Sequence, residues 1–108
     1  MDLGINGRVA LVTASSKGLG RATALALAEE GCKVVVCARG EDALRATEKD
    51  LAERTEVLAL VEDVTEAGVP RRLVDAAVDR FGAIDIVVVT EYGPDAINTV
   101  DHSLFWLG

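Results

Sequence analysis

Four short apolar runs punctuate the chain: Arg8-Val9-Ala10-Leu11-Val12-Thr13, Lys33-Val34-Val35-Val36-Cys37, Glu56-Val57-Leu58-Ala59-Leu60-Val61 and Asp85-Ile86-Val87-Val88-Val89-Thr90. None alternates apolar with polar residues, which predicts strands covered on both faces, as in a parallel sheet. Between them the spacing changes to three and four. Leu19, Ala22, Thr23, Ala26 and Leu27 predict a helix over 19–30 that Gly31 ends, and Leu44 and Leu51 mark the apolar face of a second over 41–54. A third is predicted over 67–81, with Pro70 tolerated in its first turn and Gly82 closing it. Strand and helix units repeat three times, and right-handed crossovers then predict a three-layer α/β/α fold whose parallel sheet has about four strands in the order 3-2-1-4. Residues 1–108 read as one domain, without an interdomain linker. Beyond the fourth strand the pattern fades: Gly93-Pro94-Asp95 signals a turn, Thr99-Val100-Asp101 is a cap for a last helical turn or two ending in Leu104-Phe105-Trp106-Leu107, and the tail from about residue 94 is expected to be weakly ordered.

The stretch Thr13-Ala14-Ser15-Ser16-Lys17-Gly18-Leu19-Gly20 joins the first strand to the first helix. Glycines at that place let backbone approach a pyrophosphate, while the unpaired N–H groups of the helix's first turn and its dipole favour the anion. The same glycines would serve a tight, closely packed turn with nothing bound. What raises the binding reading is context, since the turn follows a buried strand, opens a helix and starts a strand–helix–strand unit, the Rossmann arrangement.

In such a site the residue ending the second strand meets the adenosine ribose, where a carboxylate would hold the 2′-hydroxyl and an arginine a 2′-phosphate. This chain has Ala38-Arg39 there, and Lys17 projects from the glycine turn toward the same region. Two cations placed together on an acidic protein favour NADP(H) over NAD(H). Asp63 and Val64, just past the third strand, stand where a ring edge would be hydrogen-bonded and its face covered; capping of the next helix by Asp63 or Thr65 is the competing reading.

Composition narrows the rest. A formal net charge of −7 argues against a nucleic-acid backbone or an anionic membrane surface as partner. No apolar run approaches membrane-spanning length and no leader is evident, so a cytoplasmic location is expected. Half the residues are hydrophobic but only 4% aromatic, so the core is built of Val, Leu, Ile and Ala. Cys32 and Cys37 lie too far apart along an extended segment to bridge, and are expected to be reduced and partly buried. His102 is the only histidine, expected in the first turn of the last short helix; no metal site is expected.

Taken together, the glycine turn from Thr13 to Gly20, the strand-end Arg39, the Asp63-Val64-Thr65 step and Phe81-Gly82-Ala83-Ile84-Asp85-Ile86-Val87-Val88 resemble the short-chain dehydrogenase/reductase family, from about the N-terminus to the fourth strand. In length and spacing the chain is similar to the 3-oxoacyl-acyl-carrier-protein reductase branch. The resemblance implies NADP(H) as cofactor, carbonyl/alcohol oxidoreduction in a full-length relative, and cofactor contacts at Thr13, Ser15, Ser16, Lys17, Gly18, Leu19, Gly20, Arg39, Asp63 and Val64. Three departures accompany it. Ala14 stands where the family turn has glycine, and Val89-Thr90-Glu91-Tyr92 replaces its Asn-Asn-Ala-Gly, putting charge and bulk at the nicotinamide end. The family's Ser, Tyr and Lys catalytic residues lie beyond a fifth strand that this chain is not expected to reach, so no catalytic residue is assigned and the isolated chain is expected to be inactive.

Three readings follow. The first is the NADP(H)-binding portion of a reductase. The second is an enzyme completed by a partner chain or a cryptic site. The third is a non-catalytic module that forms homo-oligomers through an open, apolar fourth-strand edge.

Overall fold

The computed structural model describes residues 4–13, 18–89 and 105–107. The predicted units form in the predicted order: β1 (Val9–Val12), α1 (Gly18–Glu29), β2 (Lys33–Ala38), α2 (Glu41–Ala52), β3 (Val57–Val61), α3 (Val69–Phe81) and β4 (Ile86–Val88). These four strands are parallel in the order β3-β2-β1-β4, the Rossmann arrangement.

Alternate residues of each strand sort into two cores, which is why the sequence runs are apolar throughout. Ala10, Val12, Val34, Val36 and Ala38 face Ala24 and Ala28 of α1 and Leu44 and Leu51 of α2. Val9, Leu11, Val35 and Cys37 face Val69, Leu73 and Ala77 of α3. Cys32 belongs to the first layer and Cys37 to the second, so the sheet itself separates the two buried free thiols. Burial, and secondarily the Glu30 and Asp85 carboxylates, push the Cys32 thiol above its ordinary range, leaving it a packing residue.

Helix ends follow the glycine signals. Gly31 has φ +88, and a Cβ there would stand 2.8 Å from the Asn6 side chain. The left-handed backbone favours glycine, and any side chain there would also have to displace that of Asn6. At the amino edge of the sheet, Asp85 ties β1 to β4: its Oδ2 accepts from the Val9 N–H at 2.9 Å, its own N–H donates to Val9 O at 2.8 Å, and Arg8 lies 3.5 Å from Oδ1. These bonds hold the amino ends of β1 and β4 side by side.

Two expectations are corrected. The helical turn expected to end in Leu104-Phe105-Trp106-Leu107 is instead a strand, β5 (Phe105–Leu107), antiparallel to β4 with Leu107 opposite Ile86, Trp106 opposite Val87 and Phe105 opposite Val88. The physical reason is that Phe, Trp and Leu suit a strand and the outer edge of β4 offers unpaired N–H and C=O groups. Consequently the fourth-strand edge is not open, and the homo-oligomer reading loses its premise. α3 also starts two residues later than expected, after Gly68 at φ +85, with Pro70 in its first turn. Gly93-Pro94-Asp95, the cap at residues 99–101, His102 and most of the tail from residue 94 lie outside the described residues.

Candidate functional site

Strands running parallel deliver their carboxyl ends to one edge, and the sequence-predicted residues collect there. Thr13 leaves β1, Gly18, Leu19 and Gly20 open α1, Arg39 leaves β2, and Asp63 and Val64 follow β3. Ser15, Ser16 and Lys17, which connect Thr13 to Gly18, lie outside the described residues, as do Glu91 and Tyr92.

The residues on either side of positions 14–17 have defined places. Thr13 is buried and its N–H donates to Val88 O at 3.0 Å, joining the exits of β1 and β4. Gly18 takes φ +60, a conformation that favours glycine, and starts α1. The helix then lies against the sheet through Gly20, Ala24 and Ala28, a buried small-residue stripe at intervals of four that lets its backbone sit close. No acidic residue occupies its first turn, so nothing there opposes an anion at the exposed amides.

Arg39 is exposed beside Gly40, one residue past the point where Ala38 pairs with Val61. The Glu62 N–H donates to Ala38 O at 3.1 Å, so the β2 and β3 exits are held side by side. Asp63 feels Arg39 through space, but its nearer partners are local: Oδ1 accepts from the Thr65 N–H at 2.9 Å and from the Thr65 hydroxyl at 2.6 Å. Hence the competing helix-cap reading is not what forms. Asp63 and Thr65 make their own turn, and α3 begins after Gly68 with no side-chain cap. Val64 is half-buried against the α3 layer.

The Thr65 hydroxyl and N–H, and after them the Arg39 charge, hold the Asp63 carboxyl below the ordinary 3.8. Because its folded pKa is depressed, its contribution is present above the unfolded value and is lost as pH falls through the folded one. A carbon-detected NMR titration is expected to place the Asp63 midpoint below 3.8, and Thr65→Ala is expected to raise it.

Two positions in this region escape the sequence reading. Val61, the last residue of β3, and Val89, just past β4, belong to runs predicted as covered on both faces, yet they are 41% and 37% exposed at the carboxyl edge. The signal was their place as last residues of apolar runs beside the glycine turn and Arg39.

The parallel order, the glycine entry to α1 and the gathering of strand exits at one edge define a Rossmann-type α/β protein. The short chain dehydrogenase profile matches residues 8–91, and the chain belongs to that family. It is 40% identical over 81 residues to the NADPH-dependent pterin aldehyde reductase of Arabidopsis thaliana, a match covering 75% of this chain and 34% of that one. The L-sorbose reductase of Gluconobacter frateurii, solved with NADPH and L-sorbose, superposes with TM-score 0.81 at 36% identity, over 86% of this chain and 36% of that one. An NAD+-bound xylitol dehydrogenase superposes with TM-score 0.74, also at 36% identity, over 82% of this chain and 35% of that one. The chain spans about a third of the length of the curated relatives it matches. No helix among the described residues is long and apolar enough to cross a membrane.

Proposed function

We propose that the chain is the NADP(H)-binding portion of a short-chain oxidoreductase acting on a carbonyl/alcohol pair, of the ketoacyl-reductase kind. The observation that carries this reading is Arg39, a cation at the exit of β2, on the same sheet edge as the acid-free first turn of α1. In that frame the α1 amides donate to the pyrophosphate, Arg39 with Lys17 holds the 2′-phosphate, and Ser15 and Ser16 line the turn between. Asp63 accepts from the adenine edge through Oδ2, since Oδ1 already serves Thr65, and Val64 with Val61 covers the ring. NADPH, when bound, supplies the hydride for carbonyl reduction. No catalytic residue is assigned within this chain.

Relatives divide between the two nicotinamide cofactors, so the 2′-phosphate is the point to test. Calorimetric titration of the purified chain with NADPH and NADH is expected to show NADPH bound at least about tenfold more tightly, a difference of about 1.4 kcal/mol. Equal affinities would remove the preference for NADP(H), and a folded chain that binds neither would remove the whole reading.

A further inference from the structure

α1 carries a feature that its first turn should not want. Arg21 stands within that turn, where the helix dipole disfavours a cation. Its guanidinium turns toward α2: Nη1 donates to Thr47 Oγ1 at 3.0 Å and Nη2 pairs with the Asp50 carboxylate. Thr47 is fully buried, so this contact reaches into the seam between the helices rather than across the surface. At the other end of α1, Glu29 accepts from Arg54 Nε at 2.6 Å, just past α2.

These ties matter because of how α1 is seated. The stripe Gly20, Ala24 and Ala28 brings the helix close to the sheet, and the large side chains of α1 that join that layer, Leu25 and Leu27, are half-buried and lie in its later turns. In the first turn only Gly20 is buried and Leu19 is 62% exposed, so no apolar side chain fixes the roll at that end of the helix. Roll determines where the amides of residues 18–20 point. A forked guanidinium with two fixed acceptors on α2 defines it, and Asp50 meanwhile balances the charge of Arg21.

We infer that Arg21, through Thr47 and Asp50, is a positioning residue for the nucleotide site: it sets the roll of α1 and so the aim of the amides of Gly18, Leu19 and Gly20. The inference rests on the nucleotide reading above. It has a signature different from that of a phosphate-binding cation. The pyrophosphate is common to both cofactors, so loss of the fork weakens NADPH and NADH alike, whereas loss of Arg39 changes their ratio.

The test compares Arg21→Ala, Arg21→Lys, Thr47→Val and the Arg21→Ala/Thr47→Val pair with the unaltered chain, by titration with NADPH and NADH at a temperature where circular dichroism shows each folded. Arg21→Ala is expected to weaken both cofactors about tenfold, as a misaimed site does, with the NADPH-to-NADH ratio unchanged. Arg21→Lys, which keeps the ion pair but not the fork, is expected to recover part of the loss. Thr47→Val nearly keeps the buried shape and removes the hydroxyl that accepts from Arg21, so it is expected to cost roughly two- to threefold alone and nothing further in the Arg21→Ala background. Unchanged affinities in folded variants, a loss confined to one cofactor, or additive losses in the double variant would overturn the inference. Should Arg21→Ala not fold, Thr47→Val decides by itself, and unchanged affinity there overturns it. If the unaltered chain binds and folded Arg21→Ala binds as well, only this inference fails; if the unaltered chain binds neither cofactor, the nucleotide reading fails and this inference with it.

Discussion

Arg39→Asp is expected to weaken NADPH about a hundredfold while leaving NADH unchanged or somewhat tighter, a swing of roughly 2.7 kcal/mol against the 2′-phosphate. The variant removes a planar donor from the exit of β2 and puts a carboxylate there, which repels a phosphate dianion and accepts from a free 2′-hydroxyl. Since Arg39 is exposed and follows β2 rather than lying within it, the fold is expected to persist. Titration of the variant with both cofactors checks this. A parallel loss for NADPH and NADH would mean that Arg39 acts on something common to both, and would contradict its assignment to the 2′-phosphate.

The largest effect on stability is expected from Leu73→Ala. Leu73 is 1% exposed at the centre of the α3 stripe Val69, Leu73, Ala77, and it packs in the layer that holds Leu11, Val35 and Cys37. Truncation removes apolar contact and leaves a cavity, a combination that costs about 2–5 kcal/mol. For a domain of this size each kcal/mol lowers the melting temperature by roughly 4–8 °C, so a fall of at least about 10 °C is expected by calorimetry or circular dichroism. A loss below about 1 kcal/mol would contradict the packing of α3 on the sheet.

Much of the fold was legible because each level of the sequence agrees with the next. Uninterrupted Val-rich runs report strands buried on both sides, and the two core layers show why: Val34 and Val36 serve one face, Val35 and Cys37 the other. Gly31 and Gly82 mark helix ends because left-handed backbone follows the last helical turn at both. The C-terminal segment was misread because Phe105-Trp106-Leu107 has no periodicity of its own. Its pairing depends on a bare strand edge far away in sequence, which local pattern does not report.

Within the site, residue identity and position could be read from the chain, while partnerships could not. The placement of Arg39 after β2 follows from counting residues along a strand. That Asp63 spends one oxygen on Thr65, that Val61 and Val89 lie exposed at the rim, and that Arg21 faces α2 rather than a phosphate are tertiary facts. In the sequence nothing tells which neighbour Arg21, in the first turn of α1, will meet. The position of Thr47 and Asp50 on the neighbouring helix decides it.

The central claim, a dinucleotide site at the carboxyl edge of the sheet, is tested most directly by following backbone amides of the nitrogen-15-labelled chain during titration with NADPH. The expected result is a set of large, saturable shifts at Gly18, Leu19, Gly20, Arg39 and Asp63, with Arg8 and Asp85 at the opposite edge unmoved. Shifts centred on the amino edge, or spectra of a folded chain that NADPH leaves unchanged, would contradict it.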